Sequence, residues 1–235
     1  MNGIFVTATD TGVGKTVLTA GLALALRERV HSVGVVKPVQ SGALAADPEG
    51  DAMLLKRWTG VSETAEEIAP LAFAAPVAPL VAARLEGRTI DLRDAVDGVR
   101  RVAERYCAVV VEGAGGLMVP VGEHWTIGDV AVALRVPLLV VARAGLGTVN
   151  HTVLTVFAAQ GLGLEIVGVV LNGRSDGSSE TNAQLIEQLA GVPVLGWTPW
   201  LDRELTPERL RALVEENVDL DPISTAVDPR EVLRV

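Results

Sequence analysis

The chain is short of the residues that build disulfides, membrane spans and nucleic-acid-binding faces. Cys107 is its one cysteine, so no intrachain disulfide can form. No uncharged apolar run approaches the roughly 18 residues of a membrane span. The richest runs, Val136 to Ala142 and Ile166 to Leu171, have the length of strands. Basic residues number 20 against 29 acidic ones, a net charge of −9, with no basic stripe against that background. Neither a nucleic-acid nor a membrane partner is therefore expected, and a bound anion must be held by a local site. Met1-Asn2-Gly3 leads straight into an apolar run, without a charged n-region or an apolar h-region, so the expected location is cytoplasmic. His31, His124 and His151 lie far apart without ligand spacing; His151 is expected on a polar helix surface. Internal repeats and low-complexity segments are also missing.

Lysine is scarcer than the charge count suggests. Of the 20 basic residues only Lys15, Lys37 and Lys56 are lysines; the rest are arginines. A chain that uses Arg for most positive charge and keeps a few Lys marks places that need a compact ammonium. Lys15 and Lys37 stand beside a glycine-rich turn and a Pro-containing turn, which makes them candidates for an anion site.

The residues that are present point to an α/β protein. With 235 residues and 49% hydrophobic content, the chain can bury a sizeable core, and residues 1–235 are expected to form one domain. Gly3 to Val6 is a buried-strand run that breaks into Thr7-Ala8-Thr9-Asp10-Thr11-Gly12-Val13-Gly14-Lys15-Thr16, and the apolar run Val17 to Leu26 then starts a helix. Glycines let backbone N–H groups point inward around an anion, the helix N-terminus adds partial positive charge, Lys15 reaches outer phosphates, and the Thr16 hydroxyl suits Mg²⁺. The strict motif has Gly where this chain has Thr9, but strand, loop and helix follow in the right order.

Further buried strands are expected at Ser32 to Val36, Cys107 to Val111, Pro137 to Ala142, Leu164 to Leu171 and Pro193 to Trp197, alternating with helices, which argues for a single doubly wound, mostly parallel sheet. Ligands in such sheets lie at the carboxyl ends of the strands. There Lys37 closes the second strand ahead of Pro38 and the Ser41-Gly42 turn, and Glu112 closes the next ahead of Gly113-Ala114-Gly115-Gly116. A carboxylate in that place suits a second Mg²⁺-directing group. Asp51 opens a two-turn amphipathic helix and reads either as its N-cap or as a metal carboxylate. Pro70 to Pro79 reads as an extended, apolar connector fit to wall a substrate site. Gly145 to His151 opens a helix whose free N–H groups suit a carboxylate. Asp219 to Val235 has weak patterning and is expected to be loosely packed.

Taken together these segments resemble the dethiobiotin synthetases, over most of the chain. The likeness rests on Phe5-Val6-Thr7 with Thr9-Asp10-Thr11 and Val13-Gly14-Lys15-Thr16, on Lys37-Pro38-Val39 with Ser41-Gly42, on Val111 to Gly116, on Leu146-Gly147 with Asn150-His151, and on Gly196 with Pro199-Trp200-Leu201. The resemblance implies a P-loop NTPase fold and ATP-dependent, Mg²⁺-dependent closure of 7,8-diaminononanoate with CO₂ through a carbamate and its mixed anhydride with phosphate. By the same likeness Lys15, Lys37 and Thr11 are catalytic, and Thr16, Asp51 and Glu112 are associated with Mg²⁺. ATP is met by Gly12, Val13, Gly14, Lys15, Thr16, Val17, Asp51, Glu112, Gly113, Ala114 and Gly115, with Asn172, Gly173, Pro199, Trp200 and Leu201 around the base. The diamine and carbamate are met by Thr11, Lys37 and Ser41. The substrate's tail carboxylate is met by Gly147, Thr148, Val149 and Asn150 of a neighbouring subunit, which implies a homodimer.

The chain departs from the family at Ala8, where Gly is common, and at Gly12, where Glu is often found. The stretch after Trp200 matches poorly. A partitioning or septum-positioning ATPase is the nearest rival reading, but those proteins carry Lys where this chain has Asp10, and residues 201–235 are net acidic rather than a basic membrane-binding helix. The synthetase part of a glutamine-dependent amidotransferase would need a nucleophilic cysteine, which a strand-buried Cys107 does not supply.

Overall fold

The computed structural model describes residues 1–202 and 204–227. The first half of the chain runs β1 (Gly3–Ala8), α1 (Lys15–Leu26), β2 (Val33–Val36), β3 (Val39–Ser41), α2 (Asp51–Thr59), α3 (Ala65–Ile68), β4 (Leu71–Phe73), α4 (Pro79–Leu85), α5 (Leu92–Ala103) and β5 (Ala108–Glu112). The second half continues with β6 (Pro120–Gly122), β7 (Trp125–Thr126), α6 (Ile127–Leu134), β8 (Leu138–Arg143), α7 (Thr148–Gly161), β9 (Ile166–Asn172), α8 (Ser179–Ala190), β10 (Val194–Thr198), α9 (Pro207–Asn217) and α10 (Asp221–Val227).

Six of these strands form one sheet in the order β10-β9-β8-β1-β5-β2, every neighbouring pair parallel. Burial on both faces explains why the inner strands are written as runs rich in β-branched residues, while edge strand β10, Val-Leu-Gly-Trp-Thr, is mixed. Successive side chains point to opposite faces. Ile4, Val6, Ala8, Val110, Leu139 and Val141 accordingly join α1, α2, α9 and α10 in one core layer. Phe5, Val109, Val111, Leu138 and Val140 join α5, α6, α7 and α8 in the other. Helix α1 thus sits directly behind the strand whose end it follows. Ala8 ends β1 fully buried in the first layer, so its methyl group occupies core rather than the turn beyond it.

Three expectations change. Pro70 to Pro79, expected as an extended connector, is extended at Leu71–Phe73 but forms a strand there, β4, paired in parallel with β3, and Pro79 already starts α4. The pairing lays this connector against the segment that follows Lys37. The Asp51 cap reading is also wrong, because Gly50 is the N-cap of α2 and Asp51 is its first helical residue. Finally, residues 219–227 are packed: α10 buries Ile223 and Val227 against the first core layer, with Leu220 beside them. Residues 228–235 of the expected loose tail lie outside the described residues.

Candidate phosphate and carboxylate site

The site lies at the carboxyl ends of β1, β2 and β5, where three turns converge. After β1 the chain turns at Gly14, which sits at φ 95° as the N-cap of α1, a left-handed conformation that favours glycine. No side chain caps this helix, and no acidic residue stands in its first turn. Its first N–H groups and the positive end of its dipole therefore remain free for an anion. Lys15 and Thr16 open the helix, Lys15 with 6% of its surface exposed. Its ammonium donates to the Asp10 carbonyl at 3.2 Å, folding back over the turn.

Lys37 reaches the same point from the end of β2. It is 4% exposed, donates to Asp51 Oδ2 at 2.5 Å and to Glu112 Oε1 at 2.6 Å, and so joins residues from three separate segments. Glu112 is fully buried. The Thr16 hydroxyl lies 3.0 Å from Asp51 Oδ1 and 2.9 Å from Glu112 Oε1. A hydroxyl carries one proton, so it cannot donate to both carboxylates at once. The other buried oxygen, Glu112 Oε2, has no partner at all. Two carboxylates and a hydroxyl with such unmet demand form a hard-oxygen donor set that fits Mg²⁺, whose remaining positions would be completed by water and phosphate oxygen. Among the described residues no group of three or more His, Cys, Asp or Glu is placed to hold a metal, this site offering two carboxylates and a hydroxyl.

These placements shift the four ionisable groups. Burial pulls Lys15 down to about 8, only partly opposed by Glu112. Burial also acts downward on Lys37, but the flanking Glu112 and Asp51 outweigh it and hold its ammonium above the usual lysine range. Burial raises Glu112 above the ordinary carboxylate range, against the pull of Lys37. For Asp51 burial acts upward, yet Lys37 and the Thr16 hydroxyl keep it below. The third lysine, Lys56, donates to the Glu63 carbonyl away from this cluster.

The other expected residues fall around this centre. A Cβ on Gly115 would come within 3.3 Å of the Thr11 hydroxyl, so the turn after β5 lies against the turn after β1, and Thr11 faces solvent. Ser41 ends β3, partly exposed, next to β4. Asn172 ends β9 and touches the loop itself: its amide donates to the Val13 carbonyl at 2.7 Å and accepts from Thr198 at 2.7 Å. Gly173 accepts from the Trp197 indole, while Pro199, Trp200 and Leu201 line a cavity of about 570 Å³ against α9. Helix α7 starts at Gly147, φ 90°, again with no side-chain cap and no acid in its first turn. The Thr148 side chain turns inward to Thr152, leaving the backbone of Gly147 to Asn150 as the exposed feature, and His151 lies on the surface. This second uncapped end is not brought together with the Lys37 cluster within the one chain.

A model of the AAA domain family matches residues 2–209. The ATP-dependent dethiobiotin synthetase BioD of Bacillus licheniformis is 45% identical over 226 residues, 95% of this chain and 96% of that protein. Its counterpart in Bacillus subtilis strain 168 is 44% identical over 97% of this chain and 99% of its own length. The chain belongs to the dethiobiotin synthetase family. It is therefore an enzyme, and the family's relatives named here are ATP-dependent. Solved structures agree on the fold at far lower identity. A ParA family ATPase from Chlorobium tepidum superposes at a TM-score of 0.53 with 16% identity, covering 100% of this chain and 99% of the other. The cell division ATPase MinD of Pyrococcus furiosus does so at 0.51 with 20% identity, covering 92% and 98%. The chain thus shares the P-loop sheet of those ATPases.

Several polar residues that shape this site are not evident from the sequence. Buried Gln40 donates to the Ala43 and Leu44 carbonyls and accepts from the Ala52 amide at 2.9 Å, fixing the start of the helix that carries Asp51. Asp176 accepts from the Leu146 amide at 2.7 Å and pins the turn before α7; hydrogen bonds from Ser178 and Leu146 draw it down to about 2. Arg143, at the end of β8, pairs with Asp10 at 2.8 Å. Gln40 stands between Val39 and Ser41 in a mixed, partly polar stretch and carries no signal, and the other two carry none either.

Proposed function

We propose that the protein closes the ureido ring of dethiobiotin from 7,8-diaminononanoate, CO₂ and ATP, working in biotin biosynthesis in the cytoplasm as a homodimer of P-loop domains, each formed by the whole chain. The observation that carries this reading is Lys37, drawn from the end of β2 into contact with Glu112 and Asp51 beside the Thr16 hydroxyl.

One amine attacks CO₂, loses a proton and becomes a carbamate; its oxygen attacks the γ-phosphorus of ATP and displaces ADP; the second amine then attacks the carbonyl, loses a proton and expels phosphate. Each stage places negative charge near the turn after β1. Lys15 and the first N–H groups of α1 receive the phosphates, and their fixed orientation stabilises the transferring group without reorganisation. Lys37, held protonated by its two carboxylates, presents a positive charge to the carbamate and the γ-phosphoryl oxygen. Thr16, Asp51 and Glu112 would hold Mg²⁺, which when bound neutralises charge on the β- and γ-phosphates. Thr11 and Ser41 border the open side, where the diamine would lie.

The remaining parts fit the same reaction. The nucleoside would extend from the loop past Asn172 and Gly173 toward Pro199, Trp200 and Leu201. The uncapped start of α7 suits the tail carboxylate of a substrate bound in the partner. Exposed Leu146, Leu154 and Phe157 around α7, with Leu185 and Leu189 on α8, supply an apolar face for that pairing.

The deciding experiment measures phosphate release from ATP with Mg²⁺ and bicarbonate, with and without 7,8-diaminononanoate, in the wild type and in Lys37→Ala. Diamine-dependent release that vanishes in the variant, with a product of the ureido mass, is the expected result. Release indifferent to the diamine would refute the assignment and favour a switch ATPase.

A further inference from the structure

The turn that would receive a triphosphate contains an acid. Asp10 sits between β1 and α1 with half its side chain in solvent, and an unmasked carboxylate so close to the loop would repel phosphate oxygens, most strongly at low salt. The structure shows what becomes of it. One oxygen, Oδ1, accepts from the Thr11 amide at 2.7 Å, and the other, Oδ2, accepts from Arg143 Nη2 at 2.8 Å. The Asp10 carbonyl takes the Lys15 ammonium. Asp10 thereby touches Thr11 on one side and Lys15 on the other, while its charge is met from across the sheet. Arg143 is the last residue of β8, which pairs directly with β1, so its backbone is anchored in the core even though its head is exposed.

We infer that Arg143 is a positioning residue for the phosphate loop. It cancels the charge of Asp10 and holds its carboxylate in the plane that fixes the Thr11 amide, so the turn meets the nucleotide as a purely electropositive surface. An ion pair this exposed does little for overall stability, so its value lies in the local field and geometry. The inference rests on the nucleotide reading of the loop.

The test compares wild type, Arg143→Ala, Asp10→Asn and the double variant by calorimetric binding of Mg²⁺ with a non-hydrolysable ATP analogue, at low and moderate salt. Asparagine keeps an oxygen for the Thr11 amide but removes the charge. Arg143→Ala should weaken binding by about tenfold at low salt, the scale of one uncompensated charge close to the ligand, with a smaller deficit as salt rises. Adding Asp10→Asn to it should restore binding to within about twofold of wild type, a recovery that a merely structural role would not produce. A double variant as weak as Arg143→Ala would overturn the inference and assign Arg143 a direct ligand contact. Unchanged binding in Arg143→Ala would overturn it as well. Wild type that fails to bind the analogue would instead strike at the nucleotide reading itself. Denaturant midpoints should match across all four proteins.

Discussion

The two ends of the site differ in kind. At the phosphate end Lys15, Lys37 and Glu112 are almost wholly buried, and Lys37 and Glu112 are already bound to one another. At the end proposed for the nucleoside Trp200 is 58% exposed and Arg174 reaches over its ring at 6.0 Å while pairing with Asp202 in solvent. Buried charges are costly unless each is met, so the phosphate end tolerates almost no substitution. The nucleoside end depends on stacking and shape, which are forgiving. On the function proposed above, the first region carries the chemistry and the second the grip on the nucleoside.

Breaking the buried end should have the largest effect. Lys37→Ala should reduce diamine-dependent turnover by about 10²–10³-fold, the usual loss for one preorganised charge stabiliser. It should also lower the unfolding free energy by about 3 kcal/mol, since Glu112 and Asp51 lose their shared partner; urea titration reads the second effect, steady-state kinetics the first. Glu112→Gln keeps the shape and removes the charge. Its apparent Mg²⁺ affinity in a metal titration of activity should drop by at least about tenfold.

A milder test uses pH. The Lys15 ammonium, drawn down to about 8, is present in the free protein below that pH and lost above it. Phosphate binding favours the charged form, so nucleotide Kd should be flat near pH 7 and rise about tenfold per pH unit above 8, the slope that loss of a single proton sets. Fluorescent-nucleotide titrations from neutral pH into the alkaline range would check this. Stability of the unliganded protein runs the other way. Between about 8 and the ordinary lysine value of 10.5 the unfolded chain binds the extra proton, so this group's contribution to stability rises with pH across that window. The smallest effect should come from Trp200→Ala, which removes about 1 kcal/mol of stacking and raises the KM for ATP about fivefold with kcat unchanged. A loss in kcat would show that the two ends are not separable.

The legibility of the site follows the same division. Lys37 and Glu112 close apolar runs, and Lys15 and Thr16 stand between a glycine-rich turn and the apolar run Val17 to Leu26, so a change of pattern marks all four. The inner strands of the main sheet are equally legible, since two-faced burial leaves runs rich in Val, Ile and Leu; edge strand β10, Val-Leu-Gly-Trp-Thr, is legible from its place between two turns. What escapes a reading of the sequence depends on distant partners: Arg143 meets Asp10 across 133 positions, and Asp176 meets Leu146 across 30. No local pattern encodes such pairs. Short elements escape for another reason. Strands β3 and β4 have three residues each, and α10 buries Ile223 and Val227 within a seven-residue helix, too brief for any period to register. Asp51 reads as a cap because a first-turn acid and an N-cap acid differ by one position.

Strand β1 is the earliest made and stands in the middle. Its neighbours arrive much later, Gly3 lying beside Val109 and Phe5 beside Leu138. During synthesis the segment carrying the phosphate turn must therefore wait, flanked on both sides only once more than half the chain has emerged. Closing such long intervals is entropically slow, and no early hairpin can shelter an apolar strand in the meantime. Refolding should be slow and cooperative, and a nascent chain stalled before β8 should have no capacity to hold a nucleotide.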